Sequence, residues 1–121
     1  MSEEIINILT RYTVRNKKLG DSMKPIKGFE DYSIDENGDV WSTKYGRLKK
    51  LTTHKNARGH HRVSISLNGF KYTLDVHRLV YKIFVGEIPD SMDVYHLDRN
   101  KDNNHANNLV LASHGRKKKQ N

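Results

Sequence analysis

Residues 63–76 constrain the fold more than any other stretch. Val63, Ile65 and Leu67 alternate with Ser64 and Ser66; Asn68-Gly69 follows; then Phe70, Tyr72, Leu74 and Val76 alternate with Lys71, Thr73 and Asp75. Period-two alternation on either side of Asn-Gly predicts two antiparallel strands closed by a two-residue turn. The turn fixes the register, setting Leu67 opposite Phe70, Ile65 opposite Tyr72 and Val63 opposite Leu74. One face of this hairpin is then wholly apolar and must pack against something. The other face carries Arg62, Ser64, Ser66, Lys71, Thr73 and Asp75. It reads two ways, as a ribbon for a DNA groove or as an ordinary solvated face.

The segment that follows supplies a cover. Val76, Leu79, Val80, Ile83 and Phe84 keep the i, i+3, i+4, i+7, i+8 spacing of a buried helical stripe, begun near Asp75 and ended by Gly86. His77, on its first turn, reads as a packed or hydrogen-bonded structural histidine. Upstream, Ile34 and Val40-Trp41 flank Asp35-Glu36-Asn37-Gly38-Asp39, a second hairpin signal, and Tyr45-Gly46 marks a further turn. Leu48 and Leu51 sit there among Lys44, Arg47, Lys49 and Lys50. Residues 54–60, which include Arg58, read as a polar loop. Residues 1–22 place Ile5, Ile6, Ile8 and Leu9 behind Ser2, Glu3 and Glu4, then Arg11, Arg15, Lys17 and Lys18. This extension reads either as a short capped helix with a basic arm or as disordered chain.

Charge narrows the partner. The 121 residues carry a net charge of +8, with 30% charged and only 35% hydrophobic residues, so the core is modest and a phosphate-rich partner, a nucleic acid, leads over charge that serves solubility alone; the resemblance given below makes that partner double-stranded DNA. The basic residues expected to meet it are Lys44, Arg47, Lys49, Lys50, Arg58, Arg62, Lys71 and Arg116, Lys117, Lys118 and Lys119. There is no cysteine, which excludes disulfides and thiolate metal sites and fits a reducing cytoplasm. No apolar run reaches the ~20 residues of a membrane helix, so no membrane partner is expected.

The chemistry concentrates in residues 93–111. Apolar residues stand at both ends of a loop of Asn, Asp and His. Two short strands joined by a hydrogen-bonded loop would present His96 at one edge, pinned by the carboxamides of the loop. That arrangement points to chemistry on a phosphate, or to the remnant of it. Ser113 can cap a last helix, His114 to about Gln120, which reads as a backbone-contacting basic helix or as a cationic tail.

Three stretches resemble the phage-type HNH homing endonucleases. Residues 23–42, with Pro25-Ile26-Lys27-Gly28-Phe29-Glu30 at their head, resemble the nuclease-associated module of those proteins. Residues 76–84, Val-His-Arg-Leu-Val-Tyr-Lys-Ile-Phe, resemble their V-H-R-L-V helix, and residues 96–109 resemble their H-x-D-G-x-x-x-N-N-x-x-x-N-L box. The resemblance implies an α+β fold: small antiparallel sheets with a covering helix, followed by a ββα-metal (His-Me finger) motif. It implies an N-terminal extension over 1–22, a DNA-binding module over 23–53 and an HNH-type domain over 54–121. His96 matches the general base, Asn108 the loop-pinning asparagine, and Asp98, Asn103 and Asn104 the loop's polar framework.

The family uses one divalent cation, Mg²⁺ or Mn²⁺, held by an Asp or Asn before the histidine and an Asn or His on the last helix. Here those positions are Tyr95 and Lys117, with His114 and Asn121 as the neighbours that a shifted helix would recruit, and Arg99 stands where glycine is usual. The expectation is therefore a DNA-binding protein of the endonuclease type whose cleavage is weak or lost, and whose cation requirement is in question. The alternative is a non-catalytic binding or regulatory protein on the same scaffold.

Overall fold

The computed structural model describes residues 23–113. Three small antiparallel sheets follow one another along the chain. The first is β1 (Lys24–Ile26), β2 (Phe29–Ile34), β3 (Val40–Ser42) and β4 (Lys49–Lys50), in that order. The second is β5 (His54–Lys55), β6 (His61–Leu67) and β7 (Phe70–Asp75). After it come helix α1 (Val76–Val80) and one wider helical turn, Tyr81–Val85, closed by a Gly86 N–H to Tyr81 carbonyl bond of 2.9 Å. The last sheet is the pair β8 (Met92–His96) and β9 (Leu109–Ser113). The small antiparallel sheets and the covering helix are as expected. The basic helix expected from His114, with Arg116, Lys117, Lys118 and Lys119, and the extension over 1–22 lie outside the described residues.

The hairpin β6–β7 has the register its turn demands: Leu67 opposite Phe70, Ile65 opposite Tyr72, Val63 opposite Leu74. Asn68 and Gly69 both take positive φ (52° and 84°), as a two-residue turn matching strand twist requires. Its apolar face is not covered throughout. Val63 and Ile65 are buried under α1, whereas Phe70 is 67% exposed and Leu67 and Tyr72 stand at the surface. At the tip, the edge-on packing of Phe29 against Tyr72 is the aromatic contact (ring centroids 5.2 Å).

The opposite face departs further from a free ribbon. Arg62 lies across from Asp75 and pairs with it, Nε to Oδ1 at 2.9 Å, in contact as an ion pair but off the line of a hydrogen bond. Ser66 is taken up by the first sheet. Its N–H donates to the Tyr32 hydroxyl (3.1 Å), and Lys44 Nζ donates to its Oγ (3.0 Å) from above the Tyr32 ring. The pairing of β5 with β6 covers only Arg62 and His61, so the Tyr32 hydroxyl satisfies an edge N–H of β6 that no strand reaches.

The first hairpin needs a longer loop than Asn-Gly alone suggests. Ile34 pairs with Val40 across five residues. Buried Asp35 organises them: Oδ1 accepts the N–H groups of Asn37 and Asp39, and Oδ2 accepts Trp41 Nε1. One core runs through all three sheets, joining Ile26, Tyr32, Ile34 and Val40 to Val63, Ile65, Val76, Val80, Val94, Ala106 and Leu109.

Candidate active site

His96 ends β8 opposite Leu109 and is 9% exposed. The loop between the two strands is built from short side chains that bond to their own backbone, which is why Asn and Asp recur in it. Asp98 Oδ1 accepts the N–H of Asn100, Asn100 Oδ1 accepts the N–H of Asp102, and Asn103 Oδ1 accepts the N–H of His105. Asn108 closes the loop. Its Oδ1 accepts the Asp98 N–H (3.2 Å), and its Nδ2 donates to Asp98 Oδ1 (2.9 Å) and to the Asn103 carbonyl (2.8 Å). Bonds from the Asn103 amide, the Asn100 N–H and the Asn108 amide hold the Asp98 carboxyl below its usual range. That carboxylate is thus a structural acceptor.

Asn104 fixes the imidazole. His96 Nε2 lies 2.8 Å from Asn104 Oδ1, and both residues are buried. A carboxamide oxygen only accepts, so in the neutral ring Nε2 carries the proton and Nδ1 keeps the lone pair. Asn104 is backed by Gly38 of the first hairpin, where a Cβ would come within 3.0 Å of Asn104 Cβ and 3.1 Å of Val76 Cγ1. A second tether joins the loop to the sheet of β5–β7. Asp102 Oδ1 meets His61 Nε2 (2.8 Å) and Lys55 Nζ (3.0 Å), and Lys101 Nζ donates to the Arg58 carbonyl (2.7 Å). His61 and Lys55 hold the Asp102 carboxyl low.

His96 opens onto a cleft of about 850 Å³. Two further histidines share it, neither expected as part of the site. His60 and His77 stack at 4.6 Å between ring centroids, and they lie 6.0 Å and 5.3 Å from His96, with all three rings within 34° of parallel. His77 is 6% exposed and its Nδ1 has no partner. Burial, reinforced by repulsion from His60 and His96, pushes its pKa down to about 4. Burial first, then Lys101, also lowers that of His60. Both rings are therefore neutral at pH 7. They come from a polar loop and from a helix N-terminus, and nothing local in the sequence brings them to His96.

The cleft's charge comes from Arg58, Arg78, Arg99 and Lys101, with Asp75 and Asp93 as its acids. Both acids are engaged, Asp75 by Arg62 and Asp93 by Arg78 at 3.6 Å. Among the described residues no group of three or more His, Asp or Glu side chains is arranged to hold a metal ion. Tyr95 occupies the position before His96 and also lines the cleft. The second position expected to hold the cation, Lys117, and its neighbours His114 and Asn121 lie outside the described residues. Of the other basic residues expected at DNA, Arg47, Lys49 and Lys71 are exposed, and Lys50 pairs with Asp39 at 3.5 Å. Lys44, Arg47 and Lys49 border a second groove of about 560 Å³ on the first sheet.

Residues 75–118 match the family model described as HNH endonuclease. The chain is 39% identical over 87 residues to the DNA endonuclease I-HmuI of Bacillus phage SP01, a match covering 71% of this chain and 49% of that protein. It is 38% identical over 91 residues to an uncharacterized HNH endonuclease of Acanthamoeba polyphaga mimivirus, covering 75% of this chain and 27% of the other. A solved structure described as DNA binding and cleavage by the HNH homing endonuclease I-HmuI superposes with a TM-score of 0.71 at 34% identity, over 81% of this chain and 56% of that one. The chain therefore spans half or less of the length of these curated relatives.

Proposed function

With the chain established as a phage-type HNH endonuclease family member by these matches, we propose that it binds double-stranded DNA, with a phosphodiester seated in the His96 cleft. His96 Nδ1 is the base that takes a proton from the attacking water, and Asn104 holds the ring for it. The phosphate charge is met by guanidinium and ammonium groups. A cation can stabilise a developing phosphorane oxygen, but it does not acidify water as a metal does. Cleavage by this chain is accordingly slow, and it is less dependent on Mg²⁺ or Mn²⁺ than a metal-centred nuclease. The observation that carries this reading is a pinned histidine in a cationic cleft whose two carboxylates are both paired with arginine.

The same observation supports a second reading, in which the chain binds DNA and does not cleave it. A supercoiled-plasmid nicking assay with Mg²⁺, Mn²⁺ or EDTA, on wild type and His96→Ala, separates the two. Nicking that survives EDTA and is lost in His96→Ala supports the first. Tight binding that weakens steeply between 50 and 200 mM salt, without nicking, supports the second. Nicking that absolutely requires a divalent cation would overturn the claim of reduced dependence on a metal.

A further inference from the structure

We propose that Arg99 clamps the DNA phosphodiester beside His96, and that the loop carries a strained backbone at this position in order to present it. The inference rests on the DNA-binding reading above and assigns a specific residue within it.

Among the described residues, three other than glycine take positive φ: Tyr45, Asn68 and Arg99. Asn68 is accounted for by its two-residue turn, where Asn-Gly is favoured. Arg99, at φ 63°, has no such excuse. A long side chain in the left-handed region costs free energy that glycine would not, and strain of this kind gathers at functional sites. Arg99 ends the tight turn that begins at His96, its N–H donating to the His96 carbonyl at 3.0 Å. Base and guanidinium therefore leave the same turn, and both line the same cleft.

Of the other cations of the cleft, Arg78 faces Asp93 at 3.6 Å and Lys101 donates to the Arg58 carbonyl, while Arg58, like Arg99, forms no ion pair among the described residues but does not share the turn of His96. No acidic side chain among the described residues pairs with Arg99. An exposed guanidinium without an acidic partner, in the cleft that His96 also lines, offers the forked donor set that matches two non-bridging phosphate oxygens. The two paired carboxylates of the cleft do not compete for it.

The test uses the full chain, a fluorescently labelled duplex of arbitrary sequence, and the variants Arg99→Gly and Arg99→Lys. Glycine relieves the backbone and deletes the clamp. The unfolding midpoint of Arg99→Gly is then equal to or above that of wild type, while duplex affinity falls roughly tenfold or more, as for loss of a charged hydrogen bond. Its log K against log salt plot is also shallower by about one unit of slope. Arg99→Lys keeps the wild-type slope and recovers affinity only in part, since a point charge does not fork. An Arg99→Gly variant that binds like wild type overturns the clamp and leaves the DNA-binding reading standing. A variant that loses stability along with binding overturns it too, because Arg99 would then be scaffold. Wild-type protein that binds no duplex overturns the DNA-binding reading, and the clamp falls with it.

Discussion

Buried His77, stacked on His60, makes stability fall with acid by an amount that follows from its burial. His77 is buried and its pKa is lowered from 6.5 to about 4. Below pH 6.5 the unfolded chain takes up a proton at this position and the folded chain does not, so protons favour unfolding. The contribution of His77 is therefore fully kept above pH 6.5, is lost progressively as pH falls toward 4, and levels off below that. With about 1.36 kcal/mol per pKa unit, the full loss is about 3 kcal/mol, and about 2 kcal/mol of it falls between pH 7 and pH 5. His60 shifts in the same direction and adds to the slope.

The assay is urea denaturation at pH 7, 6 and 5, followed through the single tryptophan, Trp41, which donates to buried Asp35. Wild type is compared with His77→Phe, which fills the site with a ring that cannot titrate. The wild-type stability drop between pH 7 and pH 5 exceeds that of His77→Phe by about 2 kcal/mol. Equal drops in the two proteins, or a variant that is the more acid-sensitive, would refute the reasoning.

The remaining predictions concern the loop and its supports. Asn104→Leu removes the acceptor at His96 Nε2; ¹⁵N-correlated spectra of the imidazole then change from a single Nε2–H tautomer in wild type to a mixture, whether or not the protein cleaves DNA. Asn108→Ala breaks three hydrogen bonds in a partly exposed loop, and costs about 2 kcal/mol in chemical denaturation. Gly38→Ala forces a Cβ onto Asn104 and Val76 at a φ of +91°. It is expected to cost about 2–4 kcal/mol and to broaden the His96 resonances as well. A fragment beginning at residue 54 lacks Ile26, Tyr32, Ile34 and Val40 from the core; circular dichroism is expected to show no cooperative unfolding transition for it.

Local patterns were the legible ones. The Asn68-Gly69 turn fixed the register of β6 and β7 residue by residue, because a two-residue turn leaves no other pairing. The bonds from Asp98 to Asn100, Asn100 to Asp102 and Asn103 to His105 are legible for the same reason, each spanning two positions, whereas the bonds of Asn108 to Asp98 and of Asp102 to His61 and Lys55 are not local. The pairing of Arg62 with Asp75 was legible in principle, since extending that register by one step sets them opposite each other, yet charge alone assigned Arg62 to DNA. Burial was less accessible. Alternation tells which residues share a face, and says nothing of how far a neighbour extends, so Phe70 reads as core and stands 67% exposed. The cluster of His60, His77 and His96 joins three segments separated by loops, and no periodicity encodes it.

The first sheet is more than a surface for phosphates. The Ala106 N–H donates to the Glu36 carbonyl at 2.9 Å, and Gly38 packs against Asn104, which in turn holds His96. A glycine in one hairpin thus sets where the imidazole of another sits, and it does so by having no side chain. On its other side the same loop is tied to β5 and β6 through Asp102 and to the turn between them through Lys101. Asp98 and Asn108 knit it from within. A loop held on two sides and braced from within can keep Arg99 in a backbone conformation that a free loop would relax, since strain persists only where the surroundings over-determine it. The hydrogen-bonded asparagines and the close-packed glycine therefore serve the charge as much as the imidazole. They hold a guanidinium and an imidazole on one short turn, facing one cleft, against the backbone preference of the residue that carries the charge.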